Sequence, residues 1–214
     1  MGIRERKERH KENLKAQILE AAKRLFVKEG YAATSIRKIA AEIEFSPTTI
    51  YLYYKDKSDI AYALHQEGFL LFRERLAVLE LVEHPFERLR AMGRAYIQFA
   101  LDHPDFYEVM FIMREPMDYL ETHHPEQDWP EGERVLDGLF QTIHACQQAG
   151  YFNDIGTQEM AILSWNVVHG LCSLHITGHF RSIAEKCAPH QDFKKDSLLE
   201  DVFQAYMKVI ERMK

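Results

Sequence analysis

The residues best suited to chemistry in this chain lie between Arg37 and Lys57, where hydroxyls and cations gather without an acid–base partner: Arg37, Ser46, Thr48, Thr49, Tyr51, Tyr53, Lys55 and Lys57. Side chains of these types donate short hydrogen bonds to phosphate oxygens and base edges, and the lysines and arginine neutralise phosphate charge. No G-x-S-x-G elbow, phosphate-binding loop or compact acid–base set accompanies them, so the pattern points away from catalysis and towards recognition of a polyanion.

Two short helices must hold these groups. Ser35 is placed to cap a first helix whose Ile36, Ile39, Ala40 and Ile43 recur on one face. After a three-residue connection, Ser46 caps a second helix with Pro47 at its first position, where a missing N–H costs nothing. Ile50 and Tyr54, four apart, face inward, and the Thr and Tyr hydroxyls project elsewhere. Upstream, Leu14, Ile18, Leu19, Ala22, Leu25 and Phe26 mark an amphipathic helix that ends at Gly30, expected as a left-handed cap. Downstream, Asp56 is placed to cap a long helix with Asp59 in its first turn. The whole predicts a helix-turn-helix over about 35–54, the geometry that puts a helix into DNA.

The ordered set ILEAAKRLFVKEGY, TSIRKIA and SPTTIYLYYKDKSDI resembles the DNA-binding domain of the TetR family of bacterial transcriptional repressors. The resemblance implies that Arg37 reaches a base or phosphate, that Thr48, Thr49, Tyr51 and Tyr53 face the major groove, and that Lys57 contacts phosphate. It also implies core roles for Ile50 and Tyr54. The chain departs from the family at the turn, where Ile43, Glu44 and Phe45 stand in place of a Gly-containing segment. A left-handed φ at Glu44 would cost on the order of 1 kcal/mol.

Charge follows the same division. Residues 1–57 hold 13 Lys and Arg against 8 Asp and Glu, and the remainder 14 against 25, within a net charge of −6. The basic end is the DNA end, and the acidic remainder keeps the body off DNA. The opening RERKERHKENLK reads either as a solvated helix start or as a groove-reaching arm through Arg4, Arg6, Lys7 and Arg9.

The rest reads as helix throughout, which makes the fold class all-α. The expected domains are 1–57 for DNA binding and 58–214 for ligand binding and dimerisation. Pro85 opens a helix through Phe86, Leu89, Met92, Tyr96, Ile97 and Leu101, and a short apolar helix follows from Asp105 to about Arg114. Glu115 to Glu131, with Pro116, Pro125 and Pro130, reads as the longest loop. Further helices run to Gly150, from about Thr157 to Phe180, and through the last segment, where Ser197 and Glu200 have capping-box spacing. The helices at 157–180 and 197–213 are too apolar for a lone surface layer, and the resemblance implies that they form a four-helix homodimer interface. The segment WNVVHGL further resembles one branch of TetR-family C-terminal domains, through Trp165, His169 and Gly170.

Phe106, Tyr107, Met110, Phe111, Met113, Phe140 and Trp165, with His169, are candidates either for ordinary core or for the lining of a cavity that takes a small apolar or aromatic effector. His169, Cys172, His175 and His179 share one helix, but nothing completes a tetrahedral set, so neither metal nor cofactor is expected; His123 and His124 read as solvated. Cys146, Cys172 and Cys187 fit reduced thiols, and no run of apolar residues is long enough to span a bilayer, so a cytoplasmic protein is expected. The leading expectation is a ligand-responsive repressor on a palindromic operator. The alternatives are a DNA-binding regulator held by a protein partner and, more remotely, an enzyme with a vestigial DNA-binding domain.

Overall fold

A computed structural model of the chain describes residues 2–123, 129–187 and 197–213, apart from the side chains of Ile3, Arg4, Lys7, Pro130, Ala184 and Cys187. Among the described residues the regular elements are all helical. α1 (Ile3–Glu29), α2 (Ile36–Glu42), α3 (Pro47–Tyr51) and α4 (Lys57–Ala77) precede a 3₁₀ turn (Val78–Leu81). α5 (Pro85–Asp102) and α6 (Pro104–Tyr107) follow, and α6 runs into a π-helical turn (Glu108–Ile112). Next come α7 (Glu115–His123), α8 (Pro130–Gln148), α9 (Thr157–Ile176), α10 (His179–Ser182) with a second π-helical turn (Ile183–Cys187), and α11 (Leu198–Glu211). No described helix is long and apolar enough to cross a membrane.

The chain forms two compact units, residues 1–70 with 105–130, and residues 71–104 with 131–214. This division differs from a boundary at 57. The first part of α4 packs with residues 105–130: the Tyr62 and Tyr119 rings lie 5.3 Å apart and those of Phe69 and Phe111 5.3 Å apart. Gly68 permits that packing, because a Cβ there would fall 2.5 Å from Met110 Sδ.

In the first unit, Leu14, Ile18, Ala22 and Phe26 of α1 bury against a core that includes Ile36, Ile39, Ile50, Ile60 and Leu64. In the second, α5, α9 and α11 close on one another around Phe86, Tyr96, Val168, Phe203 and Met207. Gly93 is the point of nearest approach there, since a Cβ would meet the Phe203 ring at 2.7 Å.

Several local expectations are corrected. Glu115–His123 is a helix rather than a loop: Pro116 stands in its first turn, where proline is harmless, Glu115 and Asp118 favour its N-terminal end, and Tyr119 and Leu120 bury. Residues 124–128, with His124 and Pro125, lie outside the described residues. α9 ends at Ile176 rather than Phe180, because Gly178 turns left-handed at φ 77°. The Ser197 hydroxyl donates to Asp201 Oδ2 at 2.6 Å, and the side chain does not cap α11. Gly30 has positive φ, but with ψ 154° it is extended rather than left-handed helical. The opening basic stretch continues α1 as helix from Ile3, with Arg6 and Arg9 exposed, while the Arg4 and Lys7 side chains fall outside the described set.

Candidate nucleic-acid interface

Side-chain caps fix both helices of the candidate reader. Ser35 Oγ accepts from Lys38 N at 3.3 Å, and Ser46 Oγ accepts from Thr49 N at 3.2 Å, satisfying donors that a helix start leaves open. The turn between them is a Schellman closure: Phe45 N donates to Ala40 O at 2.9 Å and Glu44 N to Ala41 O at 3.2 Å. Glu44 occupies the left-handed position with φ 59°, the place where glycine is usual.

α3 covers only Pro47–Tyr51, and one side of it is anchored, with Ile50 fully buried and Tyr54 nearly so. Burial pushes the Tyr54 phenol up to about 12, and the Asp59 carboxylate adds to the effect, so it stays protonated within the core. The other side is open: Arg37, Ser46, Thr48, Tyr51 and Lys55 are exposed, and Thr49 and Tyr53 half-buried. Tyr51 retains 57 % of its surface and its neighbour Leu52 76 %. Leu52 and the exposed Phe45 are apolar members of this surface that hydroxyl and charge counting misses; their signal is a large apolar residue off the buried Ile50–Tyr54 stripe.

Lys57 behaves differently from its neighbours. Its ammonium donates to Tyr31 O at 2.6 Å and Thr34 O at 2.9 Å and sits 3.9 Å above the Tyr31 ring. Burial lowers its pKa, opposed by the Glu115 carboxylate. In this structure the side chain expected to meet phosphate instead ties the α1–α2 connection to the start of α4. The same start is capped by Asp56 Oδ1, which accepts from Asp59 N at 2.9 Å, while Asp59 Oδ2 accepts from Lys55 N at 2.8 Å.

The expected effector residues are divided between the two units. Phe106, Tyr107, Met110 and Phe111 belong to the first unit, whereas Phe140, Trp165 and His169 belong to the second. Lys23 Nζ lies 4.1 Å over the Phe106 ring, and Phe111 packs on both Tyr107 and Phe69. In the second unit, Tyr96 OH lies 3.0 Å from His169 Nδ1 and accepts from Trp165 Nε1 at 3.4 Å. Tyr96 is therefore a third member of that polar group, and burial lowers the His169 pKa.

Sequence reasoning overlooked His65. It is 1 % exposed, and its rings of contact are Tyr62, Phe69 and Trp129, at 6.3, 4.9 and 5.8 Å between centroids. Neither ring nitrogen has a hydrogen-bond partner among the described residues, and burial holds the imidazole down to about 4. An unmet buried polar group of this kind costs about 1–3 kcal/mol. A polar residue on the inward stripe with Ile60, Leu64 and Phe72 was the available signal. No group of three or more metal-ligating side chains occurs among the described residues.

Residues 18–64 match the family model described as bacterial regulatory proteins, tetR family, and residues 89–191 the model described as tetracyclin repressor-like, C-terminal domain. The HTH-type transcriptional regulator HbdR of Aromatoleum sp. (strain CIB) is 35% identical over 79 residues, 36% of this chain and 34% of that protein. The chain thus matches about a third of the length of that relative. Among solved structures, the fatty acid degradation regulator FadR from Bacillus halodurans superposes with a TM-score of 0.69 at 17% identity, covering 94% of this chain and 97% of that one. AibR in complex with isovaleryl coenzyme A and operator DNA superposes with a TM-score of 0.60 at 19% identity, covering 89% and 96%. At such identities the structural likenesses speak for the fold.

Proposed function

The chain belongs to the TetR family of bacterial regulatory proteins, DNA-binding regulators rather than enzymes, and from that premise we propose that it is a repressor released from its operator by a small, mostly apolar effector. The observation that carries this reading is the capped α3, anchored by Ile50 and Tyr54 and presenting Thr48, Tyr51 and Leu52 outward. Arg37, Ser46, Thr48, Thr49, Tyr51, Tyr53 and Lys55 form the proposed DNA surface. Thr and Tyr hydroxyls read base edges or hold phosphates, and Leu52 offers an apolar contact to a thymine methyl. Lys57 orders the frame from within.

One five-residue helix reads too few base pairs for useful specificity, so two copies must act on a palindrome. α9 and α11 are the proposed dimer surface. Ile162, Leu163, Leu174 and Ile176 on α9, with Val202 and Val209 on α11, remain exposed in the single chain, and covering such an apolar face favours association. The protein acts in the cytoplasm, where the chromosome lies. Acyl thioesters and uncharged aromatic compounds are the first effector classes to screen, the former because of what AibR binds.

Selection of bound duplexes from a random pool, with sedimentation of the free protein, tests the reading. A recovered palindrome and a micromolar dimer support it. Recovery of non-palindromic DNA, or a monomer throughout, overturns it; a palindrome whose occupancy responds to no small molecule favours control by a protein partner.

A further inference from the structure

We propose that His65 is the polar anchor of an effector site inside the first unit, taking a flat, uncharged, apolar molecule that carries one hydroxyl or carbonyl oxygen. The inference rests on the reading of the chain as an effector-controlled regulator and names the chemistry of that control.

A neutral imidazole has one N–H donor and one acceptor nitrogen. Both are buried in His65 with no hydrogen-bond partner among the described residues, and such a group in a native interior points to a missing partner. The surrounding surface is aromatic. Phe69 stands 4.9 Å from the imidazole, Phe111 meets Phe69 edge-on at 5.3 Å, and Trp129 meets it edge-on at 5.0 Å. Rings arranged in this way stack on a flat apolar body, and one oxygen on that body would restore the bond the imidazole lacks. Among the described rings around His65, Tyr62 and Phe69 are buried and Trp129 is half-exposed, so the indole is the side from which a ligand reaches the imidazole. A charged ligand does not fit, because among the described residues the shell offers rings and no opposing ion.

The position also explains how occupancy reaches the reader. Phe111 belongs to the π-helical turn Glu108–Ile112, a form of helix frequent at functional sites, whose Met110 rests on Gly68 of α4. Tyr62, one turn before Gln66 on the same helix, packs on Tyr119, and Tyr119 bonds Asp59 beside the recognition turn. A ligand that parts Trp129 from His65 therefore displaces the rings that order the start of α4.

The test compares 2-naphthol with naphthalene, which share one ring system and differ by a single hydroxyl, binding to the full-length protein by calorimetry in the absence of DNA. The expected result is roughly tenfold tighter binding of 2-naphthol, the gain of about one net hydrogen bond. His65→Leu, which conserves volume, brings the two affinities within about twofold, whereas His65→Gln, which keeps a donor and an acceptor, retains the preference. No binding of either compound, or a preference that His65→Leu leaves intact, overturns the proposal. Operator binding by the same preparations is measured separately: its absence would sink the regulator reading and leave the His65 result standing, and a failed naphthol arm with intact operator binding sinks the anchor alone.

Discussion

Tyr119 OH donates to Asp59 Oδ1 at 3.3 Å, joining α7 to the first turn of α4, where the other carboxylate oxygen of Asp59 already holds Lys55 N. One carboxylate thus serves both the recognition turn and a helix 60 residues further along the chain. Burial and the Asp59 charge push the Tyr119 phenol up to about 12, so it remains a donor at neutral pH. Tyr119→Phe is expected to cost about 1 kcal/mol of stability in urea unfolding and to weaken operator binding a few-fold. An unchanged midpoint together with unchanged operator affinity would remove this bond from the frame.

Lys57→Ala should lower thermal stability and weaken operator binding while leaving the salt dependence as it is. Its ammonium is occupied by Tyr31 O and Thr34 O, and each phosphate contact that is lost lowers the salt slope by about 0.9. A slope reduced by one counterion with normal melting would show instead that Lys57 swings out to phosphate.

Tyr51→Ala removes an exposed side chain, so the unfolding free energy should hold to within about 0.5 kcal/mol. Specific DNA binding should fall by about 1–3 kcal/mol, with binding to random duplex little changed. Equal losses on both duplexes would reassign Tyr51 to the phosphate backbone.

Glu44→Gly places a residue without Cβ at φ 59° and should raise stability by about 0.5–1 kcal/mol, read as a higher melting temperature. A decrease would mean that the Glu44 side chain supports the turn by a contact worth more than its strain.

His65 titrates at about 4 in the fold against an ordinary 6.5, so the unfolded chain binds the extra proton. Stability should therefore be independent of this group above pH 6.5 and fall as pH drops from there towards 4, by on the order of 3 kcal/mol in all. His169 shifts in the same direction, so the contribution of His65 is the difference between wild type and His65→Leu across that window. Parallel pH curves for the two proteins would contradict it.

The amino-acid sequence by itself determined the local elements of the reader. Ser35 and Ser46 define helix starts through bonds that reach only three residues, Pro47 does so through its fixed φ, and the buried Ile50 and Tyr54 follow from helical spacing. The same local reasoning anticipated strain at Glu44, because the turn needs a left-handed residue whatever its side chain. It misjudged Glu115–His123, where prolines and acids suit a helix start as well as a loop, and only the burial of Tyr119 and Leu120 decides between them. Lys57 could not be read from its own position, since its two acceptors lie 23 and 26 residues away. The stripe of Ile60, Leu64 and Phe72 marks His65 as inward-facing, but helical spacing gives no sign of whether its nitrogens find partners. Tertiary packing decided that, by closing Phe69 and Trp129 around the imidazole without a hydrogen bond from any described residue. Caps and periodicity act over a single turn of chain and are written in it, whereas the partners of a buried polar group depend on which distant segments arrive beside it.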